Sequence, residues 1–267
     1  CSARRGTIAV RVYADNAATT KMSRRAIEAM LPFLDEVYGN PSSLYSLGQE
    51  AARAVQRARE SIAGRLNCEA REITFTSGGS EADNQAIFSA ATIGEKKGKK
   101  HIVSTAIEHH AVLSALKRLE KQGFEVTLVG VGENGVVSPE DIEAAIREDT
   151  CLVSVMFANN EIGTIQPVSE IGAICSSRGV LFHTDAVQAA GHIKIDVREQ
   201  NIDLMSLSAH KFHGPKGIGA LYARKGVELT RIIEGGAQER GKRAGTENVP
   251  GIVGMAAAFE EACEHMG

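Results

Sequence analysis

Ser208-Ala209-His210-Lys211-Phe212-His213-Gly214-Pro215-Lys216-Gly217 follows the short apolar run Asp203 to Leu207. The run predicts a β-strand, and the Gly-Pro pair predicts a turn just after the lysine. Lys211 is therefore expected at the rim of a sheet, held in place rather than mobile on a helix surface. Ser208 and His210 flank it with groups that can donate hydrogen bonds to an anion. Taken alone, such a lysine is a solvated strand-end cation. Its meaning depends on what else the chain brings to the same edge.

Working outward, Asp185 ends the apolar run Val180-Leu181-Phe182-His183-Thr184-Asp185. A carboxylate there either caps the Ala186–Ala190 segment or pairs with a protonated pyridine nitrogen. Ile73-Thr74-Phe75-Thr76-Ser77-Gly78-Gly79-Ser80-Glu81 reads as strand, glycine turn and helix start. Free N–H groups at that helix N-terminus, with the Ser80 hydroxyl, form a candidate phosphate cradle, and Gly79 lets the backbone come close. Gly-Gly-Ser-Glu is also an ordinary capped turn. It matches neither nucleotide-binding fingerprint. His101 to Thr105 leads to Glu108-His109-His110, and Leu152 to Phe157 leads to Asn159-Asn160-Glu161. Five expected strands thus each lead to a polar group, namely Ser80, His109, Asn160, Asp185 and Lys211. Ligands of open α/β sheets bind at the carboxyl ends of strands.

The order of elements predicts an α/β fold. Strands are expected at 73–76, 101–105, 125–130, 151–156, 180–184, 203–207 and 218–223. Helices are expected at 22–37, 46–66, 80–97, 109–122, 138–147, 168–178 and 248–266. The alternation predicts a seven-stranded, mostly parallel sheet with helices on both faces. The last strand follows Gly214 to Gly219 with no helix between, so it is expected to run antiparallel. Gly217 and Gly219 read as permitting close packing at that strand's start. In the helix at 46–66, Ala51, Ala54, Val55, Ala58 and Ile62 mark the inward face. Its Arg53, Arg57, Arg59 and Glu60 read as a solvated face. Residues 93–100 read as a charged turn.

A fixed amine, a carboxylate and an anion cradle on one edge are what pyridoxal 5'-phosphate (PLP) chemistry needs. The amine forms a Schiff base, the carboxylate pairs with the pyridine nitrogen, and the cradle holds the phosphate. Zinc is not favoured by Glu108-His109-His110, His210 and His213, because no His-Glu-x-x-His or paired Cys-x-x-Cys occurs. No Gly-x-Ser-x-Gly hydrolase elbow occurs either.

Seven blocks in order carry a resemblance. They are Asp15-Asn16-Ala17-Ala18-Thr19-Thr20, Gly39-Asn40-Pro41-Ser42-Ser43, Thr76 to Glu81, Glu108 to Val112, Asn159 to Pro167, His183 to Gln188, and Ser208 to Lys211. The chain resembles the NifS-like cysteine desulfurases, PLP enzymes of the class V aminotransferase group, over nearly all of its length. The resemblance implies the PLP-dependent transferase type I fold. It implies that Lys211 carries the cofactor, Asp185 pairs with the pyridine nitrogen, and His109 stacks on the ring and moves protons. It implies that Gln188 and Asn160 lie near the phenolic oxygen, and that Gly79, Ser80, Ser208 and His210 hold the phosphate. Thr246 would reach a phosphate in the partner of a homodimer. L-cysteine is the implied substrate, yielding alanine and a persulfide on an enzyme cysteine. A sulfur-acceptor scaffold protein and iron–sulfur cluster assembly follow from the same resemblance.

Three departures leave the cofactor ligands intact: Tyr45 where relatives carry histidine, Ser80 for threonine, and Ala237 for a third glycine. A larger departure is that no residue matches the family's persulfide cysteine or its carboxylate-binding arginine. Cys1, Cys68, Cys151, Cys175 and Cys263 read as terminal, turn or buried positions. The expected organisation is an N-terminal arm at 1–20, a PLP-binding domain at 21–247, and at 248–267 the start of a helix leading to a small domain beyond the chain. A fragment of a desulfurase is the favoured reading. Another class V enzyme, such as a selenocysteine lyase or an aminotransferase, and a PLP-binding scaffold without turnover remain alternatives.

Composition bounds the rest. The 267 residues suffice for one substantial core. Thirty basic against 33 acidic residues give a net charge of −3, no footprint for nucleic acid. No apolar run reaches membrane-spanning length. The segment Cys1 to Gly6 lacks the apolar core of a secretory signal. An odd cysteine count without framework spacing suggests a reducing compartment, and a cytoplasmic protein is expected.

Overall fold

A computed structural model describes residues 12–266. Cys1 and most of the expected N-terminal arm lie outside the described residues.

Seven strands form one sheet: β1 (Ile73–Thr76), β2 (His101–Thr105), β3 (Glu125–Val129), β4 (Thr150–Ser154), β5 (Leu181–Asp185), β6 (Leu204–Ser208) and β7 (Gly219–Ala223). Their order is β1-β7-β6-β5-β4-β2-β3. β7 pairs antiparallel with both β1 and β6, while the other pairs are parallel. β1 therefore runs with β6, and β1, β2, β4, β5 and β6 point their carboxyl ends the same way. The expected α/β class, mostly parallel sheet and antiparallel last strand are all present. Gly219 shows why glycine opens β7. A Cβ there would stand 2.4 Å from the Leu207 carbonyl oxygen and 2.7 Å from the Gly78 backbone.

Except for the edge strand β3, the strands are buried on both faces, and alternate side chains divide between two cores. Ile102, Leu152, Leu204 and Leu221 pack toward α3 (Gly79–Lys96) and α4 (His110–Glu120). Val103, Val153, Phe182, Met205 and Tyr222 face the opposite way. That second core includes residues of α2 (Ser46–Arg65), α5 (Pro139–Ala145), α6 (Val168–Arg178) and α7 (Val249–Glu264). The short α1 (Arg24–Met30) packs on α7.

Four local expectations are corrected. The helix expected at 22–37 ends at Met30 and passes into a 3-10 turn, Leu31–Phe33. Pro32 lacks the N–H that the next α-helical bond requires. Residues 93–100 are not all turn, since α3 runs to Lys96. Lys211 does not end a strand directly. β6 stops at Ser208, and a single 3-10 turn, Ala209–Lys211, carries the amine past the sheet edge. Arg59 is not solvated like its neighbours Arg53, Arg57 and Glu60. It is buried and forms a bidentate pair with Glu239 at 2.6 and 2.7 Å.

Candidate active site

A cavity of about 290 Å³ lies at the shared carboxyl edge of the parallel strands. That is near the lower end of the roughly 300–1,000 Å³ of cofactor and ligand sites. Gly79, Ser80, His109, Asn160, Asp185, Gln188, Ser208, His210 and Lys211 all line it. Thr246 does not. It is exposed in a separate surface cleft with Ser77, Gly217, Glu239 and Arg243.

Each side chain reaches the cavity for a local reason. α3 begins at Gly79 without a side-chain cap, so its first-turn N–H groups and the positive end of its dipole remain available. Gly79 is packed closely here. A Cβ would stand 2.6 Å from Val187 Cγ2. Asp185 Oδ1 accepts the Val187 N–H at 2.9 Å. Local capping and a place in the cavity thus coexist in one carboxylate. Burial raises the Asp185 pKa, while the Val187 hydrogen bond and the facing His109 and Lys211 oppose that shift. His109 Nδ1 accepts the Ala111 N–H at 3.1 Å at the start of α4. A neutral His109 ring therefore carries its proton on Nε2.

The segment around Ala17 and Ala18 is stitched to the lysine turn. Thr20 N–H and Thr20 Oγ1 both donate to the His210 carbonyl, at 2.9 and 2.8 Å. His210 Nδ1 and Thr19 Oγ1 lie 3.0 Å apart. Lys211 Nζ donates to the carbonyls of Ala17 and Ala18, the latter at 3.1 Å. Gln188 Nε2 donates to the Ala17 carbonyl at 3.0 Å. Burial lowers the Lys211 pKa, and Asp185, Asp15 and Glu161 oppose that shift. The amine is thus held by neutral carbonyls rather than by a salt bridge, and it faces the cavity bounded by His109 and Asp185.

Sequence reasoning missed two acids behind this surface. Asp83 of α3 also lines the cavity and is buried. Its signal was an acid set within the inward stripe Ala82, Asp83, Ala86, Ile87 and Ala90. Glu108 is buried beside His109. It accepts from Thr105 Oγ1 at 2.6 Å and from the Met156 N–H at 2.9 Å. Burial pushes its pKa up to about 8 against those two hydrogen bonds. Nothing in the spacing of Glu108 distinguished it from a surface glutamate. The holding role of the Ala17 and Ala18 carbonyls was also invisible, because backbone atoms leave no compositional trace.

Sheet order and cleft together define an open α/β scaffold that gathers its chemistry at the carboxyl ends of parallel strands. The chain belongs to the aminotransferase class-V family, whose model matches residues 12–267. It is 58% identical over 255 residues to a cysteine desulfurase IscS of Clostridium botulinum, covering 96% of this chain and 64% of that protein. It is 57% identical over 249 residues to a cysteine desulfurase IscS of Methanosarcina thermophila, covering 93% and 61%. The chain therefore spans a little under two thirds of the length of these relatives. Among solved structures, a NifS-like protein matches with a TM-score of 0.93 at 47% identity, over 96% of this chain and 71% of that one. A structure described as SspA in complex with cysteine matches at 0.90 and 40%, over 96% and 73%. Among the described residues, no helix is long and apolar enough to cross a membrane.

Proposed function

We propose that this chain forms the cofactor-binding core of a PLP-dependent cysteine desulfurase. The whole protein converts L-cysteine to L-alanine and passes the sulfur to an enzyme cysteine. The observation that carries the reading is the convergence of Lys211, Asp185, His109 and the uncapped start of α3 on one cleft. The relatives' names supply the substrate, the 64% coverage notwithstanding.

The residues fit PLP. A glycine-lined helix N-terminus suits a phosphate, with Ser80, Ser208 and His210 beside it. Asp185 suits a ring nitrogen, and the Lys211 amine suits an aldehyde. When bound, the cofactor supplies an electron sink that makes the α-proton of an amino acid labile.

The chain's own groups do the rest. Asp185 would hold negative charge at the ring nitrogen. His109 would pack over the ring, with Nε2 as its proton-bearing atom. Burial depresses the Lys211 pKa, so more of the amine is neutral and its Nζ can take the substrate α-proton. Gln188 and Asn160 would orient the cofactor's phenolic oxygen. Thr246, outside the cleft, is assigned to the phosphate of a partner subunit in a homodimer. Residues 21–247 form the cofactor domain in this reading, and 248–267 lead toward a small domain. A sulfur-acceptor scaffold, a role in iron–sulfur assembly and a cytoplasmic location belong to the same proposal.

Borohydride treatment of the PLP-loaded chain tests it. The expected result is bleaching of the cofactor band and a reduced adduct on the peptide containing Lys211. An adduct on another lysine, or no adduct, refutes the assignment.

A further inference from the structure

Behind the cleft, two carboxyls are buried close together. Asp83 is 1% exposed and Asp185 5%. A carboxylate oxygen of each, together with a ring nitrogen of His109, lie within 4.8 Å of one another. Asp83 Oδ1 is buried without a hydrogen-bond partner. Among the described residues, no arginine or lysine pairs with either acid. The groups facing Asp83 are His183 and Asp185 from β5, Ser206 from β6, Glu108 from the loop after β2, and His109 at the start of α4. His183 Nε2 lies 3.6 Å from Asp83 Oδ1. It is no cation, because burial lowers its pKa to about 3. Its two nitrogens are occupied by Ser154 Oγ at 2.9 Å and Ser206 Oγ at 3.1 Å.

Two buried carboxylates at this separation cannot both keep a charge without a cation between them. The asymmetry of their surroundings selects which one stays ionised. Asp185 accepts a backbone N–H and faces Lys211 and His109. Asp83 shares the His109 ring but, among the described residues, has no backbone N–H and no lysine facing it, meeting instead a neutral His183 and a second buried acid, Glu108. We propose that Asp83 is a positioning residue that holds the pair's single proton as a neutral carboxylic acid, leaving Asp185 as the anion that meets the ring nitrogen. Burial, then the Asp185 charge, push the Asp83 pKa well above the usual carboxylate range, and the nearby Ser206 hydroxyl opposes that shift. An ionised Asp83 would instead drive the proton onto Asp185 and remove the negative charge from the cleft.

The protonation state stands on the burial and spacing of the two acids and does not require the cofactor. Its consequence for cofactor binding rests on the PLP reading. The test is infrared spectroscopy of cofactor-free protein at pH 7, unlabelled and with aspartate carrying 13C at its side-chain carboxyl. A carboxylic-acid carbonyl band that shifts with the label is expected, and part of it should vanish in Asp83→Asn. The label separates these acids from Glu108. Asp83→Asn keeps the shape, neutrality and donor capacity of a protonated carboxyl. It should therefore fold and bind PLP within about threefold of the parent affinity, measured by absorbance titration. An unchanged band in D83N, no labelled acid band in the parent, a failure of D83N to fold, or a tenfold loss of PLP affinity would each overturn the proposal. Failure of the parent protein to bind PLP would sink the cofactor reading while leaving the infrared result to stand.

Discussion

Replacing Glu239 with alanine should destabilise the chain by about 3–5 kcal/mol, the usual loss when one partner of a buried ion pair is removed. The Arg59–Glu239 side chains are 7% and 3% exposed. Glu239 also accepts the Phe75 N–H at 2.9 Å, and Arg59 also donates to the Ile73 carbonyl at 2.8 Å. The guanidinium lies over the Phe75 ring, 4.6 Å from its centroid. E239A thus strands a buried cation and orphans a backbone donor of β1. It gains nothing back, because Glu239 sits at φ 48° and alanine keeps the Cβ that makes this conformation unfavourable. Urea unfolding followed by circular dichroism measures the effect, with the midpoint falling at unchanged slope. The double variant R59M/E239Q removes both charges and should lose less than E239A alone, since no buried charge is left unpaired. The pair is shielded from solvent, so raising salt should leave the difference nearly unchanged. A loss below about 1 kcal/mol in E239A, or a double variant less stable than the single, would refute this account. Glu239 also anchors the segment that leads to Thr246, the residue proposed to reach a partner subunit's phosphate.

Lys211→Ala should abolish borohydride-fixed PLP while leaving the fold intact, as read by peptide mapping and circular dichroism. Gly79→Val should weaken PLP binding by at least about tenfold, because its Cβ falls 2.6 Å from Val187 Cγ2 and the side chain fills the cradle. A G79V protein with parent affinity would exclude the start of α3 as the phosphate site. Glu108 has its pKa raised to about 8 in the folded chain by burial. It therefore contributes stability at low pH that is lost as pH rises from the unfolded carboxylate range through about 8. The slope is at most about 1.4 kcal/mol per pH unit. Glu108→Gln should remove that slope, and identical pH–stability curves for the two proteins would show that folding leaves the Glu108 pKa unshifted. Purified residues 1–267 should release little sulfide from L-cysteine, since none of Cys68, Cys151, Cys175 and Cys263 lines the cleft. Sustained release that survives Cys1→Ser would contradict the assignment of sulfur transfer to a cysteine outside these four.

The strands were legible because each is a short run rich in apolar and β-branched residues closed by glycine, proline or a polar group, and only the edge strand β3 is left partly exposed. The cleft was legible for a related reason. Parallel strands bring their carboxyl ends to one edge, so residues far apart in sequence, such as Ser80 and Lys211, become neighbours once the strand order follows. What stayed hidden depends on contacts that periodicity does not encode. Arg59 sits beside Ala58 at the margin of the inward face, and only the return of the 239–241 turn decides that its charge is buried against Glu239. Thr246 was named from resemblance, and in the single chain it faces a different cleft from Lys211. Asp83 is the most instructive case. An acid in the buried stripe of a helix breaks the pattern that otherwise stabilises the packing, and burying it costs free energy unless it takes up a proton. Local rules fail where a site needs a group that packing alone would not choose. The acid in that stripe therefore marks the wall of the cleft through its conflict with the core, and the expected seat of the cofactor's ring nitrogen lies on the same side.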